Sequence, residues 1–200
     1  MPHIQLPPGV PGIRAAFQFR PATALPLLHL AEALLRDDNT LSRADREMIA
    51  ARVSHLNGCH FCEASHRAAA AHHLGGDYTL VDAVVSAPDR APITAAFRAL
   101  LAIAGQVARG GLHVTAADVA AARDAGASDT EIHDTVLIAA AFCMFNRYVD
   151  GLATDAPSDP AAYDAMGRRM AEAGYASRPP ERGASDAGAT DAPAALSTRP

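Results

Sequence analysis

Apolar residues recur along this chain at the three- and four-residue spacing of helices, and strand-like alternation does not persist anywhere. The first such stretch predicts a helix over 22–36, with Leu27, Leu28, Leu30, Ala31, Leu34 and Leu35 as its apolar content and Asp37-Asp38-Asn39 as its break. Ser42 followed three residues later by Asp45 resembles a capping box, with Asp where Glu or Gln is usual. The helix it opens carries Glu47, Ile49, Ala50 and Val53 and ends at Asn57-Gly58, a pair that turns the chain readily. A new helix is expected from Cys59 to Leu74, stopped by Gly75-Gly76. Further helices are expected over 79–86, 92–108, 116–125 and 129–152, with Pro88 ending the first and Thr115 and Ser128 as N-caps for the last two. A final one over 160–173 is opened by Asp159-Pro160. The fold class is therefore all-α.

Composition changes this picture at the two ends. Residues 1–21 begin with Pro2, Pro7, Pro8 and Pro11, and are expected to be an extended arm lying over the surface or a neighbouring subunit. From Ala176 to Pro200 the chain turns to Ala, Pro, Ser, Thr, Gly, Asp and Arg, with no aromatic residue and one Leu. Such a segment buries too little surface to offset chain entropy, so residues 176–200 are expected to be a disordered tail. That leaves 22–175 as one helical domain.

Half of the residues are apolar, ample for a core, and the bulk comes from Ala, Leu, Val and Ile rather than aromatics. A formal net charge of −5 excludes general nucleic-acid binding, which needs a basic surface. The longest apolar run, Val136–Phe145, is too short to span a bilayer. Met1–Gly12 lacks the charged and apolar regions of a secretory signal, so a soluble cytoplasmic protein without membrane partners is expected. In that reducing setting three cysteines, two of them as CxxC, point to redox chemistry or metal binding rather than a disulfide framework.

The chemistry concentrates in Glu47-x11-Cys59-His60-Phe61-Cys62-x3-His66. On a helix Cys59, Cys62 and His66 fall within a sector of roughly 60°. The i,i+4 relation brings the imidazole to the Cys62 thiol. Placing Cys59 in the first helical turn sets it among unpaired N–H groups at the positive end of the dipole, and both features are expected to lower a cysteine pKa. A thiolate attacks peroxide or disulfide, and a second thiol one turn away condenses with a sulfenic acid. If the two helices pack antiparallel, the Glu47 carboxylate returns to the mouth of the CxxC helix, where it orients His66 or takes up a proton.

This set resembles the alkylhydroperoxidase D-like family of the carboxymuconolactone decarboxylase superfamily, whose pattern is Glu-x11-Cys-x2-Cys-x3-His on a helix-turn-helix of an all-helical subunit. Phe145-Asn146-Arg147-Tyr148-Val149-Asp150-Gly151-Leu152 also looks like the Asn-Arg-x-x-Asp-x-Leu segment of peroxidase-related enzymes in that superfamily. The resemblance implies an antioxidant peroxidase that reduces a hydroperoxide through a redox-active disulfide. Cys62 would be the attacking thiolate, Cys59 the resolving thiol, and His66 with Glu47 a proton relay. It further implies a homotrimer or homohexamer without metal or organic cofactor, reduced by a dithiol protein or a lipoyl-type reductant. One position departs from the pattern: Phe61 stands where a further His commonly precedes the second Cys, and His60 is rotated away by a third of a turn.

Other readings stay open on the residues alone. Cys59, Cys62, His66 and Glu47 are a conceivable zinc set, in a redox-sensing or zinc-binding module without enzymatic activity. Haem attachment is excluded, because Glu63 rather than His follows Cys62. A decarboxylase of the superfamily's namesake type is the remaining alternative. Asn146, Arg147 and Asp150 either line the site or form an Arg147–Asp150 pair that fixes a helix. His60, His72 and His73 read as solvated or interface residues, and Cys143 as a buried, inert thiol.

Overall fold

The computed structural model describes residues 1–176. Among these the chain is helical throughout: α1 (Ile13–Phe19), α2 (Pro21–Arg36), α3 (Arg43–Leu56), α4 (His60–His73), α5 (Tyr78–Ser86), α6 (Ala95–Arg109), α7 (Ala116–Asp124), α8 (Asp129–Gly151) and α9 (Pro160–Ala173), with short 3-10 turns at Pro88–Arg90 and Gly111–His113. The caps set most boundaries. Thr115 with Asp118, and Ser128 with Glu131, form complete capping boxes at the starts of α7 and α8. Ser42 and Asp45 form half of one, the Ser42 Oγ accepting from the Asp45 N–H at 3.0 Å.

The expected extended arm over 1–21 contains α1, and this is a correction. Gly12 takes φ 58°, and a Cβ there would lie 2.1 Å from the Phe61 ring, so glycine alone fits at the head of the helix. Ala15, Ala16 and Phe17 are then buried. The preceding residues run along the chain beyond α8: the His3 N–H donates to the Leu152 carbonyl at 3.0 Å and the Gly12 N–H to that of Asp155 at 2.8 Å. The short helical period was hidden by the flanking prolines. The disordered tail expected over 176–200 lies, from residue 177 on, outside the described residues; Ala176 itself is hydrogen-bonded to Glu32.

The main core gathers Leu35, Ile49, Val53, Val81, Val84, Leu100, Ile103, Ile138 and Phe142, from α2, α3, α5, α6 and α8. α3 and α4 fold back on each other across Asn57-Gly58, and α9 covers the other side of α4. Small residues permit that cover: a Cβ on Gly167 would stand 2.4 Å from the Ala68 Cβ and 2.5 Å from its carbonyl carbon, so the two backbones nearly touch. A second, smaller cluster of Cys59, Phe61, Cys62, Val149 and Tyr163 sits apart from the main core. Among the described residues no helix is long and apolar enough to cross a membrane.

Candidate functional site

The turn between α3 and α4 is held by side chains. The Asn57 Nδ2 donates to the Asn146 Oδ1 at 2.8 Å, and the Asn146 Nδ2 donates to the Ser54 Oγ at 3.0 Å. Ser54 in turn donates to the Ala50 carbonyl at 2.8 Å. Gly58 takes φ 73°, and the Cys59 N–H returns to the Ser54 carbonyl at 3.0 Å. Asn146 thus supports the approach to the cysteines from α8. Arg147 does not join it: exposed, it donates to the Cys143 carbonyl at 2.8 Å, and the considered Arg147–Asp150 pair does not form.

This turn makes Cys59 the N-cap of α4, with φ −84° and ψ 90°, and puts Cys62 at the third helical position. Cys62, rather than Cys59, therefore lies within the first turn, where unpaired N–H groups and the positive end of the dipole are found. Cys59 is 0% exposed and Cys62 5%, both as free thiols. The expectation of a lowered pKa fails for Cys59. Its hydrogen bond to the Cys62 side chain, and then burial, push the Cys59 thiol far above the ordinary thiol value, and a hydrogen bond to Asp150 adds to the effect.

Glu47 and His66 meet as the hairpin reading requires. Glu47, on α3, is 0% exposed; its Oε2 lies 2.7 Å from the Nδ1 of His66, on α4 and 9% exposed. The imidazole packs edge-on against Phe142, ring centroids 4.5 Å apart. His66 and Cys62 share the wall of one cavity of about 60 Å³, lined also by Phe17, Leu27, Leu28, Phe61, Phe142, Phe145 and Tyr175. Of the four residues singled out in the sequence, Cys62 and His66 thus line one apolar pocket, with Glu47 behind His66 and Cys59 beside Cys62; among the described residues no hydrogen bond joins His66 to Cys62. Among the described residues no three or more His, Cys, Asp or Glu side chains are grouped to hold a metal ion.

Two tyrosines escaped the sequence reading. Tyr175 donates its hydroxyl to the other Glu47 oxygen, Oε1, at 2.6 Å, and stacks on His66 with centroids 6.1 Å apart and planes at 16°. Burial, and then the charge of Glu47, push its pKa well up. Tyr163, on α9, packs beside His60 and Phe61, with its hydroxyl buried and without a hydrogen-bond partner. Burial, and then the two cysteines, raise its pKa. The only local signal for Tyr175 is that it is the last aromatic residue before the low-complexity segment. Of the remaining histidines, His60 is exposed as expected, but His72 pairs with Asp164 at 2.9 Å and His73 has a buried Nε2 without a partner.

Comparison with known proteins bears on the family and the fold. The model of the carboxymuconolactone decarboxylase family matches residues 21–87, the span from α2 to the end of α5 that includes Glu47, both cysteines and His66. An uncharacterized peroxidase-related protein from Silicibacter sp. TM1040 superposes with a TM-score of 0.70 at 29% identity, over 80% of this chain and 81% of that one. An uncharacterized peroxidase-related protein from Ralstonia eutropha JMP134, described as an alkylhydroperoxidase AhpD core, gives 0.70 at 27% identity over 80% and 82%. A protein of unknown function from Agrobacterium tumefaciens, described as a putative antioxidant defence protein AhpD, shares the fold at 21% identity and a TM-score of 0.61, over 72% and 97%. No functionally curated protein matches the sequence. Sequence pattern, family model and superposed structures converge: residues 21–87 are similar to the carboxymuconolactone decarboxylase family, and the fold is that of AhpD-like, peroxidase-related proteins.

Proposed function

We propose that the protein is a thiol-dependent peroxidase that reduces hydroperoxides through Cys62 and Cys59. The observation that carries the reading is the buried Glu47–His66 pair, whose imidazole lines an apolar cavity together with Cys62. In the first step the Cys62 thiolate attacks one peroxide oxygen. The O–O bond breaks, Cys62 becomes a sulfenic acid, and the departing alkoxide or hydroxide takes a proton through His66. In the second step the Cys59 sulfur attacks the Cys62 sulfur; a Cys59–Cys62 disulfide forms and water leaves, carrying the Cys59 proton. A dithiol reductant then restores both thiols and leaves as its own disulfide.

The structure of the thiol pair supports this division of roles. Cys59 is fully buried, and its neighbour Cys62 and that burial push its pKa up, as suits a group that reacts second. Cys62 lines the cavity. The test is peroxide consumption with dithiothreitol, together with mass spectrometry after one equivalent of peroxide. Wild type should turn over and yield an intramolecular Cys59–Cys62 bond. Cys62→Ser should abolish the reaction, whereas Cys59→Ser should react once and stop at a sulfenic acid or mixed disulfide. A first reaction kept by Cys62→Ser and lost by Cys59→Ser would reverse the roles, and no peroxide loss in wild type would remove the reading.

A further inference from the structure

The segment after α9 is fastened back onto the body of the protein at one point. The Glu32 carboxylate, on α2, accepts the Tyr175 N–H at 2.5 Å and the Ala176 N–H at 3.1 Å. Gly174, at φ 74°, makes the turn, and a Cβ there would stand 2.6 Å and 2.8 Å from the two Glu32 oxygens. A glycine in left-handed backbone and a carboxylate bridging two successive N–H groups aim one side chain inward. That side chain is Tyr175, and its hydroxyl ends on Glu47 Oε1 at 2.6 Å.

Glu47 has no exposed surface, so each carboxylate oxygen depends on a partner within the protein. Oε2 has His66 and Oε1 has Tyr175. Without the phenol, one oxygen of a buried carboxylate is left unsatisfied and the group is free to rotate away from the imidazole.

We propose that Tyr175 is a positioning residue of the thiol site, holding the Glu47 carboxylate on the Nδ1 of His66, with Glu32 as the latch that delivers it. The proposal rests on the reading of Glu47 and His66 as the proton relay for Cys62. Tyr175 acts through Glu47: the phenol fixes the carboxylate, the carboxylate fixes the imidazole tautomer with Nδ1–H, and the other ring nitrogen is left free to exchange a proton. The titratable and charged groups around the phenol are Glu47 on α3, His66 on α4, Glu32 and Arg36 on α2 and Arg169 on α9, with His73 near Glu47.

The experiment is the pH dependence of Cys62 alkylation by iodoacetamide, read residue by residue by mass spectrometry, in wild type, Tyr175→Phe, Glu47→Gln and the double variant. Tyr175→Phe keeps the ring on His66 and removes only the O–H. The expected result is a pH profile displaced from wild type and a rate at neutral pH lower by about 10-fold to 100-fold, the size usual for losing a group that orients another. The double variant should be little slower than Glu47→Gln alone, because both changes break one unit. Glu32→Gln, which weakens the latch and leaves the phenol intact, should move the profile the same way by less, and it serves if Tyr175→Phe does not fold. A wild-type pH profile in both Tyr175→Phe and Glu32→Gln, with melting curves showing folded protein, would reduce the segment to packing and overturn the proposal. Alkylation needs no peroxide, so the two readings fail separately: a displaced profile in a protein that consumes no peroxide removes the peroxidase and keeps the positioning role, while turnover with an unchanged profile does the reverse.

Discussion

Asn146→Ala should damage the protein twice, once in stability and once at the sulfur pair. Asn146 is 1% exposed and joins α8 to the end of α3 through two hydrogen bonds, to Asn57 at 2.8 Å and to Ser54 at 3.0 Å. Each neutral bond contributes about 1 kcal/mol net, and the Ser54 oxygen, fully buried, loses its only donor among the described residues. Asn57 is only half-buried, so water can satisfy its amide and little is added there. The sum is about 2–3 kcal/mol, equivalent to a fall in Tm of roughly 4–12 °C for a chain of this size. Guanidinium and thermal melts of Asn146→Ala, Ser54→Ala and the double variant measure it, and the pair should couple by about 0.5–1.5 kcal/mol. The functional loss follows from the same bonds. Cys59 takes its N-cap geometry from the turn they support, so disulfide formation after one equivalent of peroxide should slow in Asn146→Ala. A loss under about 0.5 kcal/mol, or strictly additive losses, would show that the turn is fixed by its backbone alone and refute this account.

Other expected outcomes concern the helix packing and the thiols. Gly167→Ala should destabilise by about 1–3 kcal/mol, although Ala in place of Gly inside a helix ordinarily gains up to about 1 kcal/mol, because the new Cβ meets the α4 backbone at 2.5 Å. A raised Tm would reveal slack between α4 and α9. Cys59 should be alkylated far more slowly than Cys62 throughout the pH range of a folded protein, and equal rates at pH 8 would contradict its buried, protonated state. The same raised pKa fixes a sign for stability. Above the ordinary thiol value of 9.0 the unfolded chain loses the Cys59 proton and the folded chain keeps it, so wild type should lose stability relative to Cys59→Ala as pH rises past 9. A difference between the two that does not change with pH would remove the argument.

What the sequence revealed and what it hid divide along contact range. Glu47 and His66 are separated by a turn that Asn57-Gly58 announces, and two helices of matched length bring them together; local pattern suffices. The same holds for α7 and α8, whose capping boxes are written in Thr115–Asp118 and Ser128–Glu131. Cys59 stands one position earlier than the sequence places it, at the N-cap, and what sets its state is not local: the neighbouring Cys62 and burial push its pKa up. α1 was missed because prolines crowd a seven-residue helix whose reason to form, Phe61 against Gly12, lies far along the chain. Tyr175 was missed for the same cause, since nothing near it in sequence marks a partner 128 residues earlier.

The position of α9 in the chain sets an order of assembly. Both thiols, Glu47 and His66 leave the ribosome well before α9, which covers α4 through Gly167 and carries Tyr163, and before Tyr175, which follows it. Contacts across such separations form late, after the local α3–α4 hairpin has closed. A growing chain therefore holds its cysteine pair for a time without the cover of α9 or the phenol on Glu47. The pair matures with the last packing step, and chains arrested before α9 should be recognisable by thiols open to alkylating reagents that the finished protein excludes from Cys59.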